Sequence, residues 1–251
     1  MGKHEDPRPV AERIAASIRV LIMSGETEWQ PGERLPTTAE LMSIYGVSNV
    51  TVQRAVKLLK DEGLLVGRTG SGVFVRDEAP HVVTPASYIA PDPEGVASRW
   101  KIGAARRGRE SNRILAVGEV VAPRRVAAVF GEERVVRRKR LGLVNGEPAE
   151  VTISCYPASW ARDTELAECR KIRGGSPRVL AELGRAPQAP QDDEVAARVA
   201  TTEEYELLQL PGDVPVLEIF RIVRDGSGEA VEVTELVKPG HLFKLGYRVA
   251  P

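Results

Sequence analysis

The sequence predicts an α+β protein of two domains, a small helical domain ending in a β-hairpin and a larger domain built on an antiparallel sheet. Three observations support this prediction. The 251 residues exceed one small domain, and 42% hydrophobic with 28% charged residues is an ordinary globular composition. Amphipathic helical segments fill the first part of the chain. Beyond a proline-rich stretch, segments rich in β-branched residues dominate.

The first domain, residues 1–76, begins with two helical segments. Residues 10–24 carry apolar side chains at helical spacing and precede Gly25, a residue that commonly ends helices. Thr37 and Glu40 have the T-x-x-E spacing of a capping box, in which each side chain satisfies a free amide at a helix start. The sequence therefore predicts a first amphipathic helix and a second, short helix.

A third helix and a hairpin complete this domain. The second helix should end near Tyr45, and after a Gly-Val turn Ser48 is a suitable N-cap for a helix that ends at Gly63. Two short β-type runs follow, Leu64–Val66 and Val73–Arg76, around a glycine-rich tip. This order of elements is the winged helix-turn-helix plan.

The third helix has two different faces. Its apolar residues recur at helical spacing and should face the core: Val52, Ala55, Val56 and Leu59. Long polar side chains occupy the opposite arc: Asn49, Gln53, Arg54, Lys57 and Lys60. Such an arc suits either plain solvent or a nucleic-acid groove, and the zero formal net charge gives no warrant for either. The tight turn before the helix favours the groove, because Ser48 and the first amides can meet phosphate.

The second domain, residues 98–251, follows a predicted extended linker at 77–97 that contains four prolines. Strands are predicted for five segments: 111–121, 134–144, 147–157, 214–225 and 229–238. Asn145-Gly146 is a type I′ hairpin signal between the second and third of them. Helical segments near 178–183 and 202–208 interrupt the strands, and we expect helices on one side of an antiparallel sheet.

Charged and polar residues alternate along two of these strands. Arg138 and Arg140 share one face, with Lys139 on the other, because side chains alternate along a strand. On the next strand Glu150, Thr152, Ser154 and Tyr156 likewise share a face. A hairpin would bring the two faces together. They would then form either a cross-strand ion pair contributing under about 1 kcal/mol, or a pocket in which arginines bind an anionic ligand.

The remaining chemistry-bearing residues indicate no metal, catalytic or membrane site. The two cysteines, Cys155 and Cys169, lack metal-ligand spacing, and the three histidines are scattered. No apolar run approaches the roughly 20 residues that a bilayer requires, and the N-terminus lacks a signal peptide's apolar core. We therefore expect a cytoplasmic protein with no membrane partner, no cofactor, no metal and no catalytic residue.

Residues 30–76 resemble the DNA-binding domain of the GntR family of bacterial transcription regulators. Four motifs carry the resemblance, in the family's order: Gly32–Thr37, Gly46–Val52, Leu59–Leu64 and Gly70–Val75. The resemblance implies binding to a double-stranded DNA operator, with the hairpin as a wing in the minor groove, although a turn needing positive φ explains the tip glycines equally well. The implied contact residues are Arg34, Thr37, Thr38, Ser48, Asn49, Thr51, Gln53, Arg54, Lys57, Arg68, Thr69 and Gly70.

The chain departs from this family at three contact positions. Ala39, Asn49 and Gln53 stand where arginines are common. Arginine pairs bidentately with guanine, whereas asparagine and glutamine pair with adenine. We therefore expect an operator with adenines at contacted positions.

From about Ser98 onward the sequence is similar to the UTRA effector-binding domain of the HutC subfamily, which has a chorismate-lyase-like fold. The resemblance implies a small-molecule effector, and the ligand residues that we expect are Arg138, Arg140, Glu150, Ser154, Tyr156, Ser176, Arg178, Glu232 and Lys238. Arg178 and Lys238 replace aromatics of the sugar-phosphate sensors. These cationic replacements suit a ligand with more than one negative group.

The expected function is a ligand-responsive repressor that binds a palindromic operator as a homodimer and is released by a small anionic or polar effector. Two alternatives remain. A chorismate-lyase-like enzyme is one, since a fold does not fix function. The other is a DNA-binding protein whose second domain only dimerises.

Overall fold

The computed structural model of the chain describes residues 6–24, 29–77, 81–83, 110–212 and 214–247. These residues form two compact units. The N-terminal unit contains the described residues up to 77, with 210–212 and 214, and the C-terminal unit contains 81–83, 110–209 and 215–247. No helix in the described ranges is both long enough and apolar enough to cross a bilayer.

The N-terminal unit has the predicted three helices and hairpin. Its elements are α1 (Val10–Ser24), α2 (Thr38–Tyr45), α3 (Asn49–Asp61), β1 (Leu65–Arg68) and β2 (Gly72–Val75). One apolar core joins them, to which α1 contributes Ile14 and Ile18. Val52, Ala55, Val56 and Leu59 are all buried, as the spacing along α3 predicts.

Local hydrogen bonds define the helix-turn-helix as the sequence predicts. The Thr37 hydroxyl accepts from the Glu40 amide at 3.3 Å, while the Thr37 amide donates to the Glu40 carboxylate at 2.7 Å. Gly46 ends α2 in the left-handed conformation, with φ of 64°, which glycine adopts without a Cβ clash. The Ser48 hydroxyl then caps α3 by accepting from the Thr51 amide at 3.4 Å.

The hairpin gains a third extended segment that the sequence did not reveal. The strands β1 and β2 pair antiparallel from Leu65 opposite Val75 to Arg68 opposite Gly72. The chain before α2 lies along the free side of β2, where the Leu35 amide donates to the Val73 carbonyl at 2.8 Å. This pairing holds the segment that contains Arg34 against the wing.

The C-terminal unit is built on a six-stranded antiparallel sheet in the order β4-β5-β6-β9-β8-β7. Its strands are β4 (Glu110–Val121), β5 (Arg134–Val144), β6 (Glu147–Pro157), β7 (Pro187–Val199), β8 (Pro215–Asp225) and β9 (Ala230–Pro239). Two short strands, β3 (His81–Val83) and β10 (Phe243–Leu245), pair parallel to each other. The predicted β5–β6 hairpin is confirmed, with Asn145 and Gly146 both at positive φ in its turn.

Helices cover both faces of the sheet, so the expectation of helices on one side was wrong. They are α4 (Arg124–Phe130), α5 (Ala158–Ala161), α6 (Ser176–Glu182) and α7 (Thr202–Leu208), with a 3-10 helix at Glu165–Ala167. On β5, Arg138 binds carbonyls of the 3-10 segment, whereas Lys139, one residue on, pairs with Glu203 of α7. Neighbouring residues of a strand point to opposite faces, so α7 and the 3-10 helix lie on opposite faces.

Strands β3, β7 and β10 were absent from the predicted set. Strand β7 is an edge strand whose exposed residues include Val195 and Val199, and it therefore lacks the buried alternation that identifies strands. It also contains two prolines, which edge strands tolerate because they need not donate on both sides. Strand β3 falls inside the predicted linker, and the rest of that linker beyond Asp77 lies outside the described residues.

Candidate nucleic-acid interface and buried polar site

The polar arc of α3 faces away from the core of its unit. Asn49, Gln53, Arg54 and Lys57 are exposed, while Lys60 is half-buried. Helix α3 presents these side chains because its opposite stripe packs in the apolar core. Rigid packing on one side and long hydrogen-bonding side chains on the other suit a helix that enters a major groove.

Two side chains of this arc are held in place by neighbours. The Gln53 amide nitrogen donates to the Thr38 hydroxyl of α2 at 3.3 Å, and its carbonyl oxygen and second N–H remain for another partner. Lys57 forms an exposed ion pair with Asp61 at 2.5 Å, which water and salt weaken. Gln53 is thus oriented for a partner, and Lys57 can exchange Asp61 for phosphate.

The start of α3 presents hydroxyls and amides together. Ser48 and Thr51 share a hydroxyl contact of 3.0 Å on the exposed side of the helix start. The first amides of a helix have no partners within it and carry partial positive charge, so they attract phosphate oxygens. Thr37 serves chiefly as the cap of α2, since Glu40 also accepts from its hydroxyl at 2.8 Å.

The predicted wing residues lie at the exposed end of the hairpin. Arg68, Thr69 and Gly70 are exposed, and Arg68 lies 4.3 Å from the centre of the Phe74 ring. Gly72, with φ of 116°, lies close to Arg34, because a Cβ there would come within 2.9 Å of the Arg34 Nε. The exposed Arg34 side chain therefore crosses the backbone of the wing, and two arginines flank this end of the unit.

A buried chain of polar groups crosses the middle strands of the C-terminal unit. Arg140 on β5 donates to the Ser154 hydroxyl on β6 at 3.0 Å, and Ser154 contacts the Thr234 hydroxyl on β9 at 3.1 Å. Thr234 donates to the Glu232 carboxylate at 2.6 Å, so Ser154 must donate to Thr234. This chain connects a cation to a carboxylate, and we call Arg140, Ser154, Tyr156, Glu232 and Thr234 the polar site.

Two donors of the polar site are buried without a hydrogen-bond partner in the described part of the chain, Arg140 Nε and Tyr156 Oη. The hydroxyls of Ser154 and Ser176 lie near Tyr156 but do not complete a hydrogen bond of normal geometry. Burial raises the pKa of the Tyr156 phenol, and the Glu232 carboxylate adds to the rise, so the phenol stays protonated. Buried donors without a partner are rare in native proteins, and a bound ligand or water molecule would satisfy them.

Arg138 has a different environment from its predicted partner Arg140. Its guanidinium donates to the carbonyls of Leu166 and Glu168 at 2.7 Å and of Arg170 at 2.8 Å. The side chain is 3% exposed, and burial lowers the pKa of the guanidinium. Arg138 thus holds the segment around the 3-10 helix against the sheet through its Nη1 and Nη2 donors.

Glu150 and Lys238 form a buried ion pair with each other. Glu150 also accepts from the Thr152 hydroxyl at 2.5 Å, and the Lys238 ammonium lies 4.7 Å from the centre of the Phe243 ring. The structure therefore contradicts a cross-strand pair between Glu150 and an arginine. The lysine that pairs with it comes from β9, across the other side of β6.

Arg178 and Ser176 lie on α6, beside the polar site. Arg178 forms ion pairs with Glu165 at 2.5 Å and Glu182 at 2.6 Å, and it donates to the Arg173 carbonyl at 2.7 Å. Its charge is thus balanced locally. Ser176 is buried, with its hydroxyl near Tyr156, so α6 closes one side of the site.

Thr234 belongs to the polar site and is not among the predicted ligand residues. It lies two residues after Glu232, so strand alternation places both side chains on one face. That spacing was available in the sequence. Its partner Ser154, 80 residues earlier, was not predictable from local pattern.

Both units match known families. Residues 10–75 match the family model described as bacterial regulatory proteins, gntR family, and residues 105–244 match the UTRA domain. A crystal structure of a GntR-family transcriptional regulator superposes with a TM-score of 0.64 at 25% identity, covering 97% of this chain and 98% of that one.

Several relatives match nearly the whole chain. An HTH-type transcriptional regulator of Streptomyces coelicolor and the histidine utilization repressor of Pseudomonas aeruginosa are each 30% identical, covering 96% of this chain and 91% of the relative. These relatives are regulators, so the chain is a transcription regulator and not an enzyme, and the lyase alternative is set aside. The chain belongs to the GntR family of bacterial transcription regulators, in the HutC-like group that carries a UTRA domain.

Proposed function

We propose that the chain is a ligand-responsive repressor whose N-terminal unit binds an operator and whose polar site binds the effector that releases it. The observation that supports the ligand is the pair of buried donors, Arg140 Nε and Tyr156 Oη. An unsatisfied buried donor costs about 1–3 kcal/mol. An effector that accepts from both removes this cost, which is free energy available for binding.

The operator contacts are proposed for the exposed side of the helix-turn-helix. Asn49 and Gln53 would read adenines, which offer an N–H donor and an acceptor to an amide side chain. Arg54 and Lys57 would contact phosphates beside the groove, and these contacts weaken with salt because bound counterions are released. The wing residues Arg68, Thr69 and Gly70 would follow the adjacent minor groove.

The effector is proposed to carry one acidic group and one hydrogen-bond donor. Arg140 and Tyr156 supply donors for the acidic group, while Glu232, buried and with no cationic partner in the described ranges, accepts from the donor. Lys238 and Arg178 are already neutralised by glutamates. We therefore propose one acidic group in place of several negative groups, because Lys238 and Arg178 already pair with glutamates and are not free to bind more.

A homodimer and a palindromic operator complete the proposal. A single α3 contacts only a few base pairs, and two copies related by a two-fold axis bind two half-sites with far higher affinity. Effector binding would favour an arrangement in which the two DNA-binding units no longer fit both half-sites. Such a shift requires the effector to prefer one arrangement, since equal affinity for both shifts nothing.

The DNA-binding part is tested by selecting bound fragments of the host genome with the full-length protein and measuring shifts of the enriched fragment. We expect one short, two-fold symmetric sequence to be enriched. The variant Asn49→Ala with Gln53→Ala should lose the preference for it over random DNA. Equal binding of all fragments by the unaltered protein would contradict operator recognition.

The effector part is tested by thermal melting of the same protein with a matched set of four-carbon probes at millimolar concentration. We expect succinamate, with one carboxylate and one amide, to stabilise the protein more than succinate or succinamide. Glu232→Gln should remove the preference for succinamate over succinate, and Arg140→Gln should abolish stabilisation. If only succinate, the dianion, stabilises the protein, the proposal of one acidic group and one hydrogen-bond donor is wrong. If no small acid stabilises the protein or releases operator, the alternative in which the second domain only dimerises is favoured.

A further inference from the structure

We infer that Val50 reads the methyl group of a thymine in the operator. This inference rests on the proposed DNA-binding function and adds a base-specific contact to it. Val50 is 77% exposed, more than any other large hydrophobic side chain in the ranges that the structure describes. It is the second residue of α3, two residues after the cap at Ser48.

The position of Val50 places an apolar group among hydrogen-bonding ones. Asn49, Gln53 and Arg54 are its exposed neighbours along and beside the helix, since residues three and four apart lie on one face. Residues at the start of a recognition helix reach the edges of bases in the major groove. The thymine C5-methyl is the apolar group that this groove displays.

The neighbouring amide side chains of Asn49 and Gln53 favour the same A·T base pairs. Asn and Gln side chains bind adenine bidentately, and each adenine is paired with a thymine whose methyl lies in the same groove. A valine beside Gln53 therefore lies near the thymine of that pair or of the next one. Isolated exposed valines are ordinary on protein surfaces, but this one lies on the face where the polar residues of α3 would contact bases.

The expected size of the contact follows from burial of one methyl group. Removing a methyl or methylene from an apolar contact costs about 0.8 kcal/mol, which corresponds to about a fourfold loss of affinity. The loss should occur at one thymine in each half-site and at no other thymine.

The experiment uses a duplex selected from a random-sequence pool by the full-length protein. Each thymine is replaced in turn by deoxyuridine, which lacks only the C5-methyl group, and affinities are measured by fluorescence anisotropy at one salt concentration. The affinity of the unaltered protein should fall about fourfold when deoxyuridine replaces the contacted thymine. Val50→Ala should bind the thymine and deoxyuridine duplexes equally, because it has no isopropyl group to contact the methyl.

A second exposed valine supplies the control. Val20 of α1 is 65% exposed, and Val20→Ala should keep the full difference between thymine and deoxyuridine. Alanine is the best helix former, so both variants should fold, which circular dichroism melting checks. The inference is overturned if no deoxyuridine duplex binds more weakly, or if Val50→Ala keeps the difference. Failure to select any sequence would instead count against the proposed operator binding.

Discussion

Gln53 of α3 shows how one neighbouring hydroxyl can set the specificity of an amide side chain. A free glutamine rotates about three bonds, and its amide can present either end to a base. Here its nitrogen donates to Thr38 at 3.3 Å, which leaves the carbonyl oxygen and the remaining N–H of this exposed side chain for a partner. That is the pair that adenine requires, since its N6 donates and its N7 accepts.

We expect Thr38→Val to reduce discrimination between adenine and guanine at the base that Gln53 contacts. Valine has nearly the same shape as threonine but cannot accept a hydrogen bond, so the Gln53 amide is no longer oriented. The preference should fall about threefold to tenfold, as for the loss of one hydrogen bond. Thr38→Ser keeps the hydroxyl and should keep the preference, whereas an equal loss in both variants would contradict the orienting role. The preference is measured as the difference in affinity between the operator duplex and duplexes with single A-to-G changes.

The two cysteine thiols should differ in reactivity. Cys155 is buried in the sheet, and burial raises the pKa of its thiol to about 12, whereas Cys169 is exposed. The thiolate is the reactive form, so a disulfide reagent at pH 8 should label one thiol in the folded protein and two in denaturant. Cys169→Ser should leave no rapidly labelled thiol. Rapid labelling in that variant would show that Cys155 is accessible.

At the scale of elements, Arg138 and Arg140 are two residues apart on β5 but are expected to contribute very different amounts to stability. Arg138 donates to three carbonyls at 2.7–2.8 Å in the segment around the 3-10 helix. Arg140 leaves its Nε unsatisfied. The first arginine therefore stabilises the unit, and the second is available to a ligand.

We expect Arg138→Met to lower the free energy of unfolding of the C-terminal unit by about 2 kcal/mol or more, because several carbonyls lose their partner. Arg140→Met should change it little, since an unsatisfied donor is removed together with one hydrogen bond. Urea unfolding followed by tryptophan fluorescence compares the two. Similar losses in both variants would mean that the carbonyl contacts of Arg138 contribute little.

A helix or strand can be predicted from the sequence when the residues that define it lie close to it along the chain. The helix-turn-helix was predicted with its caps, because Thr37, Glu40, Gly46 and Ser48 act within a few residues of themselves. The β5–β6 hairpin followed from two turn residues. Strand β7 was missed because edge strands lack a buried face pattern, and helices on both faces were missed because local pattern does not indicate which face a helix covers.

The sequence predicted which residues lie in the polar site better than it predicted which charged residues pair with each other. Arg140 and Glu232, which the resemblance implied, lie together with Ser154 and Tyr156, which strand alternation placed on one face, and ligand binding by them stays a prediction. The pairing of Lys238 with Glu150, 88 residues apart, depends on the strand order β6-β9, which local patterns do not determine. That pair uses the charge of Lys238, one of the two cations on which the expectation of several negative groups was based, and the number of negative groups on the effector stays a prediction.

At the scale of the whole molecule, the proposed dimer predicts how operator binding depends on half-site spacing. Two linked α3 helices gain affinity from each other only when both half-sites lie on one side of the duplex, and B-DNA turns once in about 10.5 base pairs. Inserting about five base pairs between the half-sites moves one to the opposite side. Binding should then fall to that of a duplex with a single half-site, while the salt dependence of the remaining contact persists.

Sedimentation of labelled duplexes with the full-length protein measures both the affinity for each duplex and the number of chains bound to it. The unaltered operator should carry two copies of the chain, and the duplex with the insertion should keep only one copy in contact with a half-site, at the affinity of the single half-site. The control is an operator with the same insertion placed outside the half-sites, which should bind as the unaltered one does. Unchanged affinity after the central insertion would mean that the two DNA-binding units act independently. An effector could then release DNA only by acting within one chain, because it would have no paired arrangement of units to change.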